Sequence, residues 1–130
     1  MQTNNAFSGY SVDDLGKAKE FYGVRLGLET DEEPEPMPML NLKFANGGKV
    51  LIYPKDNHTP ASFTVLNFPV DDIDVTIDEL TQKGVQFERY DNLPAQQDEK
   101  GVLRGKAAGM GPDIAWFKDP AGNILAILSN

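Results

Sequence analysis

The sequence predicts an α+β fold made of two tandem β-α-β-β-β modules, and three repeated features carry this prediction. Val-Asp-Asp-Leu at residues 12–15 returns as Val-Asp-Asp-Ile at 70–73, each time between an apolar stretch and a stretch with helical periodicity. A glycine followed by an aliphatic residue closes both helical stretches. The run 48–52 has a counterpart at 122–126, and each opens with glycine. Three features in the same order indicate a duplication within one chain.

The first module is predicted to contain a strand, a helix and three further strands. Apolar residues recur at three- and four-residue spacing from Leu15 to Leu26, which predicts one buried helix face. Asp14 is the expected N-cap, and Gly27 is the residue expected to end the helix. Prolines follow the second strand, so that strand is expected at an exposed edge or in a loop. The predicted strands are 7–12, 28–33, 39–44 and 49–53.

The second module is predicted to repeat this order. Its helix is expected to begin after Asp72 or Asp74 and to end at Gly84. The glycine-rich residues 92–111 are too long for a tight turn and only weakly periodic, so they could form a mobile lid. The turn 119–123 is expected to join the last two strands. The predicted strands are 62–68, 85–90, 113–118 and 124–128.

A polar linker bounded by prolines, residues 55–61, separates the two modules. Module one is expected to span about 5–54 and module two about 62–130. The length and the 40% hydrophobic content suit one globular domain with a packed core. The prediction is therefore a single domain over residues 1–130, built from two modules.

The composition argues against several classes of partner. The chain has 12 basic and 20 acidic side chains and a net charge of −8, which repels nucleic-acid phosphates and anionic lipid headgroups. It has no cysteine, which excludes disulfides, thiol catalysis and thiolate metal sites. No run has the pattern of a leader or of a membrane span. We therefore expect a cytoplasmic protein that binds neither nucleic acid nor membranes.

Three of these sequence features resemble a known family. They are the turn Lys-Asp-Pro-Ala-Gly-Asn at 118–123, the Val-Asp-Asp-Leu start of the first helix, and the run from Ala18 to Tyr22 that leads to Gly27-Leu28. Together they resemble the vicinal oxygen chelate superfamily, which includes glyoxalase I, bleomycin-resistance proteins and extradiol dioxygenases. The resemblance covers nearly the whole chain. It implies that the eight strands form one cupped sheet around a cavity, commonly in a homodimer.

Enzymes of that superfamily generally hold a divalent metal at four equivalent strand positions. The resemblance places Phe7 and Val65 at two of these positions, near the start of the first strand of each module. It places Ile52 and Ala126 at the other two, on the last strand of each module. All four side chains are hydrocarbon and lack the lone pairs that a metal requires. Because the chain also has only one histidine, we expect no metal and no other cofactor.

Those positions also predict a cavity wall that suits an apolar or aromatic small molecule. Trp116 could stack on a planar ring, or it could be a core tryptophan between strands. Arg104 could fold over an anionic guest, or it could remain a solvated loop residue. The predicted ligand-binding residues are Phe7, Gly9, Ile52, Tyr53, Val65, Asn67, Arg104, Trp116 and Ala126.

Four other features are interpreted as structural. His58 lies in the polar linker and is expected to be an exposed loop residue rather than a ligand or a general base. The aspartate pairs at 13–14 and 71–72 are interpreted as helix caps rather than as acid–base groups. The acidic run 29–35 lacks a calcium-loop pattern. The glycines at 109–111 lack the strand-to-helix spacing of a phosphate-binding loop.

Three functions remain open at this point. The first is a metal-independent binding protein for a small apolar or aromatic molecule, similar to the bleomycin-resistance branch. The second is a glyoxalase-like lyase or isomerase in which Tyr53 or Glu99 moves a proton. The third is a non-catalytic dimeric scaffold with a filled core, since Phe7 and Ile52 are large enough to fill a vacated metal site. A cavity of about 300 Å³ or more would favour a binding protein over a scaffold.

Overall fold

The computed structural model describes all residues from Met1 to Asn130. The chain divides into two compact units, Met1–Pro60 and Ala61–Asn130. Each unit holds a four-stranded mixed sheet and repeats the order strand, helix, three strands. The predicted α+β fold with two β-α-β-β-β modules is therefore confirmed. None of the helices combines the length and the apolar character needed to cross a bilayer.

Unit one contains four strands and one helical segment. Its elements are β1 (Ser8–Val12), α1 (Leu15–Lys19) with a π-helical continuation (Glu20–Arg25), β2 (Glu29–Glu33), β3 (Met39–Lys43) and β4 (Lys49–Pro54). The strand order is β1-β4-β3-β2. β1 runs parallel to β4, and the other neighbours are antiparallel. Because prolines follow it, β2 lies at the edge of the sheet, as the sequence predicts.

One face of the unit-one sheet packs against the helix. Leu40 and Ile52 are paired across β3 and β4, and both are fully buried. Tyr10, in register with Ile52, donates its hydroxyl hydrogen bond to the Tyr22 hydroxyl of the helical segment at 2.7 Å. Side chains alternate along a strand, so Gly9, Ser11 and Tyr53 lie on the opposite face, which we call the open face of this sheet.

Unit two repeats the arrangement with additional short elements. They are β5 (Thr64–Pro69), α2 (Ile73–Gln82), β6 (Leu103–Arg104), α3 (Gly105–Ala108), β7 (Asp113–Lys118) and β8 (Ile124–Ser129). The strand order is β5-β8-β7-β6, again with a parallel pair, β5 and β8. The core on the helix side includes Ile77, Phe117 and Ile127.

The strand predicted at 85–90 is wrong as a continuous element. Only Phe87 pairs there, with Phe117, and the Glu88 amide donates to the Trp116 carbonyl at 2.8 Å. The rest of that edge is supplied by Leu103–Arg104, which pairs with the start of β7. Two short pieces thus share one edge position, because the chain between them leaves the sheet as a loop.

Residues 92–111, for which the sequence suggests a mobile lid, are anchored to the unit. Val102 and Leu103 are buried, and Gly105–Ala108 forms the short helix α3. The Gln97 side chain accepts a hydrogen bond from the Tyr90 amide at 2.8 Å and donates to the Glu88 and Gly101 carbonyls at 3.0 and 2.6 Å. A side-chain amide that bridges three backbone groups fixes the loop to the strand edge.

The duplication extends to the atoms of the helix caps. Asp14 accepts from the Lys17 amide at 3.0 Å, and Asp72 accepts from the Val75 amide at 3.1 Å. The backbone φ,ψ angles are −136°,107° at Asp14 and −133°,106° at Asp72. Both aspartates are therefore N-caps, as the sequence predicts.

Replacing Asp72 with alanine is expected to lower the free energy of unfolding by about 1 kcal/mol, because the Val75 amide loses its acceptor. Urea unfolding followed by circular dichroism measures the change. The Asp71→Ala variant is the matched control, since Asp71 precedes the cap and is expected to change stability by less than about 0.5 kcal/mol. Equal effects of the two substitutions would contradict the assigned cap.

Candidate functional site

Three predicted ligand-binding residues share one row across the unit-two sheet. Asn67 on β5 pairs with Ala126 on β8, and Ala126 pairs with Trp116 on β7. The row lies on the face opposite Phe117 and Ile127, because side chains alternate along each strand. Trp116 is half-buried, Asn67 is exposed and Ala126 is fully buried. The open face of unit two thus carries an aromatic side chain with a polar one in the same row.

Trp116 lines a cavity of about 220 Å³ that lies within unit two. Its indole Nε1 donates a hydrogen bond to the Thr64 hydroxyl at 3.2 Å. Its ring meets the Tyr90 ring edge to face, with centroids 5.7 Å apart and planes at 76°. The ring orientation of Trp116 is therefore fixed by a hydrogen bond and by an aromatic contact. The cavity is lined by Ser62, Phe63, Thr64, Tyr90, Asn92, Leu93, Trp116 and Ile124.

A second cavity of about 400 Å³ adjoins the first and shares Tyr90 and Leu93 with it. Its wall is more polar. The Arg89 guanidinium at its side donates to the Glu99 carbonyl at 2.7 Å. The remaining lining residues are Asp91, Ala95, Gln96 and Gln97. Tyr90 and Leu93 thus line both an aromatic and a more polar cavity.

The Tyr90 hydroxyl is buried and has no hydrogen-bond partner. Burial raises the pKa of this phenol above its ordinary value, and the nearby Glu88 carboxylate adds to the rise while Lys118 opposes it. The phenol is therefore neutral and keeps its proton at neutral pH. Tyr90 was not among the predicted site residues, because it comes at the end of a segment predicted as a plain strand.

Arg104 is held by carboxylates of its own unit. Its Nη1 and Nη2 donate to the two oxygens of Asp74 at 3.1 and 2.8 Å, and its Nε donates to Asp98 at 2.9 Å. Its Nη1 also lies 3.6 Å from an oxygen of the buried Asp113. These contacts engage the guanidinium, which leaves little capacity to grip an anionic guest.

The carboxylates around Arg104 are acidified by this arrangement. The hydrogen bond from Arg104 lowers the pKa of Asp74, and burial opposes it. At Asp98, burial raises the pKa, but hydrogen bonds from the Val102 amide and from Arg104 outweigh it, so the pKa is lowered overall. Arg104 and the carboxylates form one ionised cluster that ties the loop before β6 to α2.

In unit one, the predicted wall residues do not share one face. Ile52 is fully buried on the helix side, whereas Gly9 and Tyr53 lie on the open face. The structure places Leu51 where Ala126 lies in unit two. The two turns have equal length, because Lys43 pairs with Lys49 as Lys118 pairs with Ile124. Their hydrogen bonds match Gly47, not Gly48, with Gly122, since the Gly47 amide donates to the Phe44 carbonyl as the Gly122 amide donates to the Asp119 carbonyl. The sequence pairing of Gly48 with Gly122 is therefore displaced by one residue.

Two further predicted residues lie at strand starts. Phe7 precedes β1 and is exposed, with the Lys49 Nζ 4.6 Å from its ring centroid. Val65 is half-buried at a bulge, where the pairing of β5 with β8 shifts between Thr64 and Leu66. Neither residue lines the two cavities described above.

His58 differs from its predicted role as an exposed loop residue. It is half-buried, and its Nδ1 lies 2.7 Å from the Ser11 hydroxyl oxygen on β1. A turn carries it, because the His58 amide donates to the Lys55 carbonyl at 3.1 Å. The Lys55 amide donates in turn to the Val12 carbonyl at 3.0 Å. The only histidine of the chain is thus fixed beside a serine on the open face of unit one.

The residues present do not fit a divalent metal at the positions that the resemblance implies. Phe7, Ile52, Val65 and Ala126 offer only carbon atoms there. Over the whole chain, the structure gathers no group of three or more histidine, cysteine, aspartate or glutamate side chains that could hold an ion.

Comparison with known proteins identifies the architecture. The model of the Glyoxalase/Bleomycin resistance protein/Dioxygenase superfamily matches residues 6–127. A glyoxalase family protein from Enterococcus faecalis is 22% identical, with 94% of each chain covered and a TM-score of 0.67. An antibiotic binding protein from Streptomyces sp. CB03234 is 21% identical over 99% of this chain and 98% of that chain, also with a TM-score of 0.67.

A genomically encoded fosfomycin resistance protein from Listeria monocytogenes is equally similar in structure but less similar in sequence. It is 14% identical over 100% of this chain and 95% of that chain, with a TM-score of 0.68. No curated protein matches the sequence. At these identities the structural neighbours establish the fold and leave the ligand of this chain open.

Proposed function

The chain belongs to the Glyoxalase/Bleomycin resistance protein/Dioxygenase superfamily, and from this premise we propose that it is a metal-independent protein that binds a small planar aromatic molecule. The observation that carries the proposal is the cavity of unit two, in which the Trp116 ring is held by Thr64 and Tyr90. A tryptophan whose face is fixed beforehand loses little side-chain entropy when a ring stacks on it.

The size and chemistry of the cavities support this proposal. The aromatic cavity of about 220 Å³ is by itself smaller than the about 300 Å³ typical of small-molecule sites, but the second cavity of about 400 Å³ shares Tyr90 and Leu93 with it and provides further room. Apolar lining with a few placed polar groups is typical of small-molecule sites. A scaffold with a filled core does not require such cavities. The alternative scaffold function is therefore less well supported.

Metal independence is part of the proposal. It is supported by the hydrocarbon side chains at the family positions and by the lack of a ligand group elsewhere in the chain. The antibiotic binding protein and the fosfomycin resistance protein among the structural neighbours have names that agree with a role in binding a small molecule. We extend the proposal to a homodimer in the cytoplasm. Sedimentation of the purified protein would test whether it is a dimer.

Binding of naphthol is expected to weaken about tenfold in the Trp116→Ala variant, because the largest aromatic surface of the cavity is removed. Isothermal calorimetry and the ligand-induced thermal shift measure this change. The Trp116→Phe variant should retain most of the affinity. The saturated analogue of naphthol, which has the same carbon skeleton without the flat ring, should bind weakly to the wild-type protein.

Two controls locate the bound molecule. The single tryptophan of the chain gives one indole N–H signal in a nitrogen–proton NMR spectrum, and naphthol should shift it. The Phe7→Ala variant should bind like the wild type, because Phe7 is an exposed aromatic residue outside the cavity. Equal affinity for naphthol and its saturated analogue, or an unshifted indole signal at saturation, would contradict the proposed site.

A further inference from the structure

The Ser11–His58 pair has the arrangement of an activated hydroxyl. The Ser11 Oγ and the His58 Nδ1 are 2.7 Å apart, which is a short hydrogen bond between a hydroxyl and an imidazole nitrogen. A serine is a weak nucleophile by itself, and an adjacent base that accepts its proton activates it. The chain has a single histidine, and it is placed against this serine although 46 residues separate the two in sequence.

Backbone hydrogen bonds hold both partners in place. Ser11 lies in β1, which is paired with β4 along its whole length. The turn that carries His58 is closed by the His58 amide on the Lys55 carbonyl and is fastened to β1 by the Lys55 amide on the Val12 carbonyl. The base is therefore attached to the strand that carries the hydroxyl, one residue beyond it. This arrangement meets the first geometric requirement for a nucleophile and its base.

The residue next to Ser11 on the same strand face is an exposed glycine. Gly9 precedes Ser11 by two residues on the same face of β1, and Gly9 is exposed. A side chain at that position would first meet Leu51, whose carbonyl oxygen would lie 3.0 Å from the added carbon. The absence of a side chain keeps the strand surface open next to the hydroxyl. Tyr53, in register with Ser11 on β4, provides a second hydroxyl on this face.

We infer that Ser11 and His58 form an acyl-transfer dyad in unit one that accepts small activated esters. The Ser11 Oγ forms a bond to the carbonyl carbon while its proton passes to the His58 Nδ1. The bond from that carbon to the leaving oxygen then breaks, and the leaving group takes the proton from His58. A water molecule, deprotonated by the same nitrogen, then attacks the carbonyl carbon of the acyl-serine. The bond from that carbon to the Ser11 Oγ breaks, the Oγ takes the proton back from His58, and the carboxylic acid is released. This activity is independent of the aromatic cavity in unit two.

The test uses p-nitrophenyl acetate with the full chain. We expect nitrophenolate release above the buffer rate, together with an increase in intact mass of one acetyl group. Fragment-ion spectra should place the acetyl group on Ser11 rather than on Ser8. The Ser11→Ala and His58→Ala variants should each lose the activity by about 100-fold or more, and the double variant should lose no more than either single one.

Three comparisons distinguish a reactive dyad from a pair that only tethers the linker. The His58→Gln variant can still hydrogen bond to Ser11 but cannot act as the base, so it should fold normally and lose acetylation. The Ser8→Ala variant should react like the wild type, because Ser8 is an exposed serine on the same strand and outside the pair. Acetylation that survives in His58→Gln, that falls on lysines or Ser8 only, or that is not detected at all would overturn the inference.

Discussion

Replacing Asp119 with alanine is expected to lower the free energy of unfolding by about 3 kcal/mol, because three hydrogen bonds to one buried carboxylate are lost together. Asp119 is 4% exposed and lies in the turn between β7 and β8. Its Oδ1 accepts from the Ala121 and Asn123 amides at 3.0 and 2.8 Å, and its Oδ2 accepts from the Asn123 side-chain amide at 3.0 Å. Asn123 is itself 2% exposed, so its backbone amide and its side-chain amide would lose the Asp119 oxygens as acceptors in a buried position.

The Asp119→Asn variant is the matched control for this turn. It keeps one oxygen that can accept the two backbone hydrogen bonds, but it turns a donor towards the Asn123 side-chain amide. We therefore expect a loss of about half that of the alanine variant. Urea unfolding measures both values. A loss below about 1 kcal/mol for Asp119→Ala would show that this turn contributes little to the pairing of β7 and β8.

The duplicated pattern predicts most of the fold, since local signals and tertiary structure agree in both units. The caps at Asp14 and Asp72 have nearly identical dihedral angles. The buried network at Asp119 explains why the Asp-Pro-Ala-Gly-Asn turn is an informative marker of the family: each polar group in it has a structural role. Capping and turn chemistry depend on a few neighbouring residues, so the sequence displays them directly.

The sequence-based predictions fail where the spacing of residues along the chain does not correspond to their positions in the folded protein. Matching Gly48 with Gly122 predicts Ile52 on the cavity wall, but the hydrogen bonds of the two turns match Gly47 with Gly122. That difference of one residue reverses the face of the strand. β6 has only two residues, which is too short to produce a pattern. The edge that it shares with Phe87 depends on long-range pairing.

The roles of His58 and Tyr90, which the sequence does not predict, also depend on tertiary structure. His58 and Tyr90 stand in segments whose sequence resembles an ordinary linker and an ordinary strand. Their roles come from contacts made after the chain folds: a hydroxyl at 2.7 Å from His58, and a buried phenol oxygen without a partner at Tyr90. The sequence does predict Trp116 as a site residue, because it is the single tryptophan of the chain. Only the structure identifies Thr64 and Tyr90 as the groups that orient its ring.

Replacing Arg104 with alanine is expected to lower the free energy of unfolding by about 2 kcal/mol at neutral pH. The guanidinium makes charge-assisted hydrogen bonds to Asp74 and Asp98, but its side chain is 35% exposed, so solvent screening reduces what these bonds contribute. Asp113, whose side chain is only 11% exposed, would lose one of its two cationic neighbours. Calorimetric melting and urea unfolding measure the effect.

The same variant should change how stability responds to acid. The pKa values of Asp74 and Asp98 are lowered below the ordinary value of 3.8, so their contribution is fully present above about pH 4. It is lost as the pH falls through the lowered values, because the unfolded chain then binds protons that the folded one does not. We expect the wild type to lose stability more steeply below pH 4 than Arg104→Ala. Arg104→Lys, which keeps the charge without the two-pronged contact to Asp74, should lie between them. Parallel acid profiles for the wild type and Arg104→Ala would show that the lowered pKa values do not depend on this arginine.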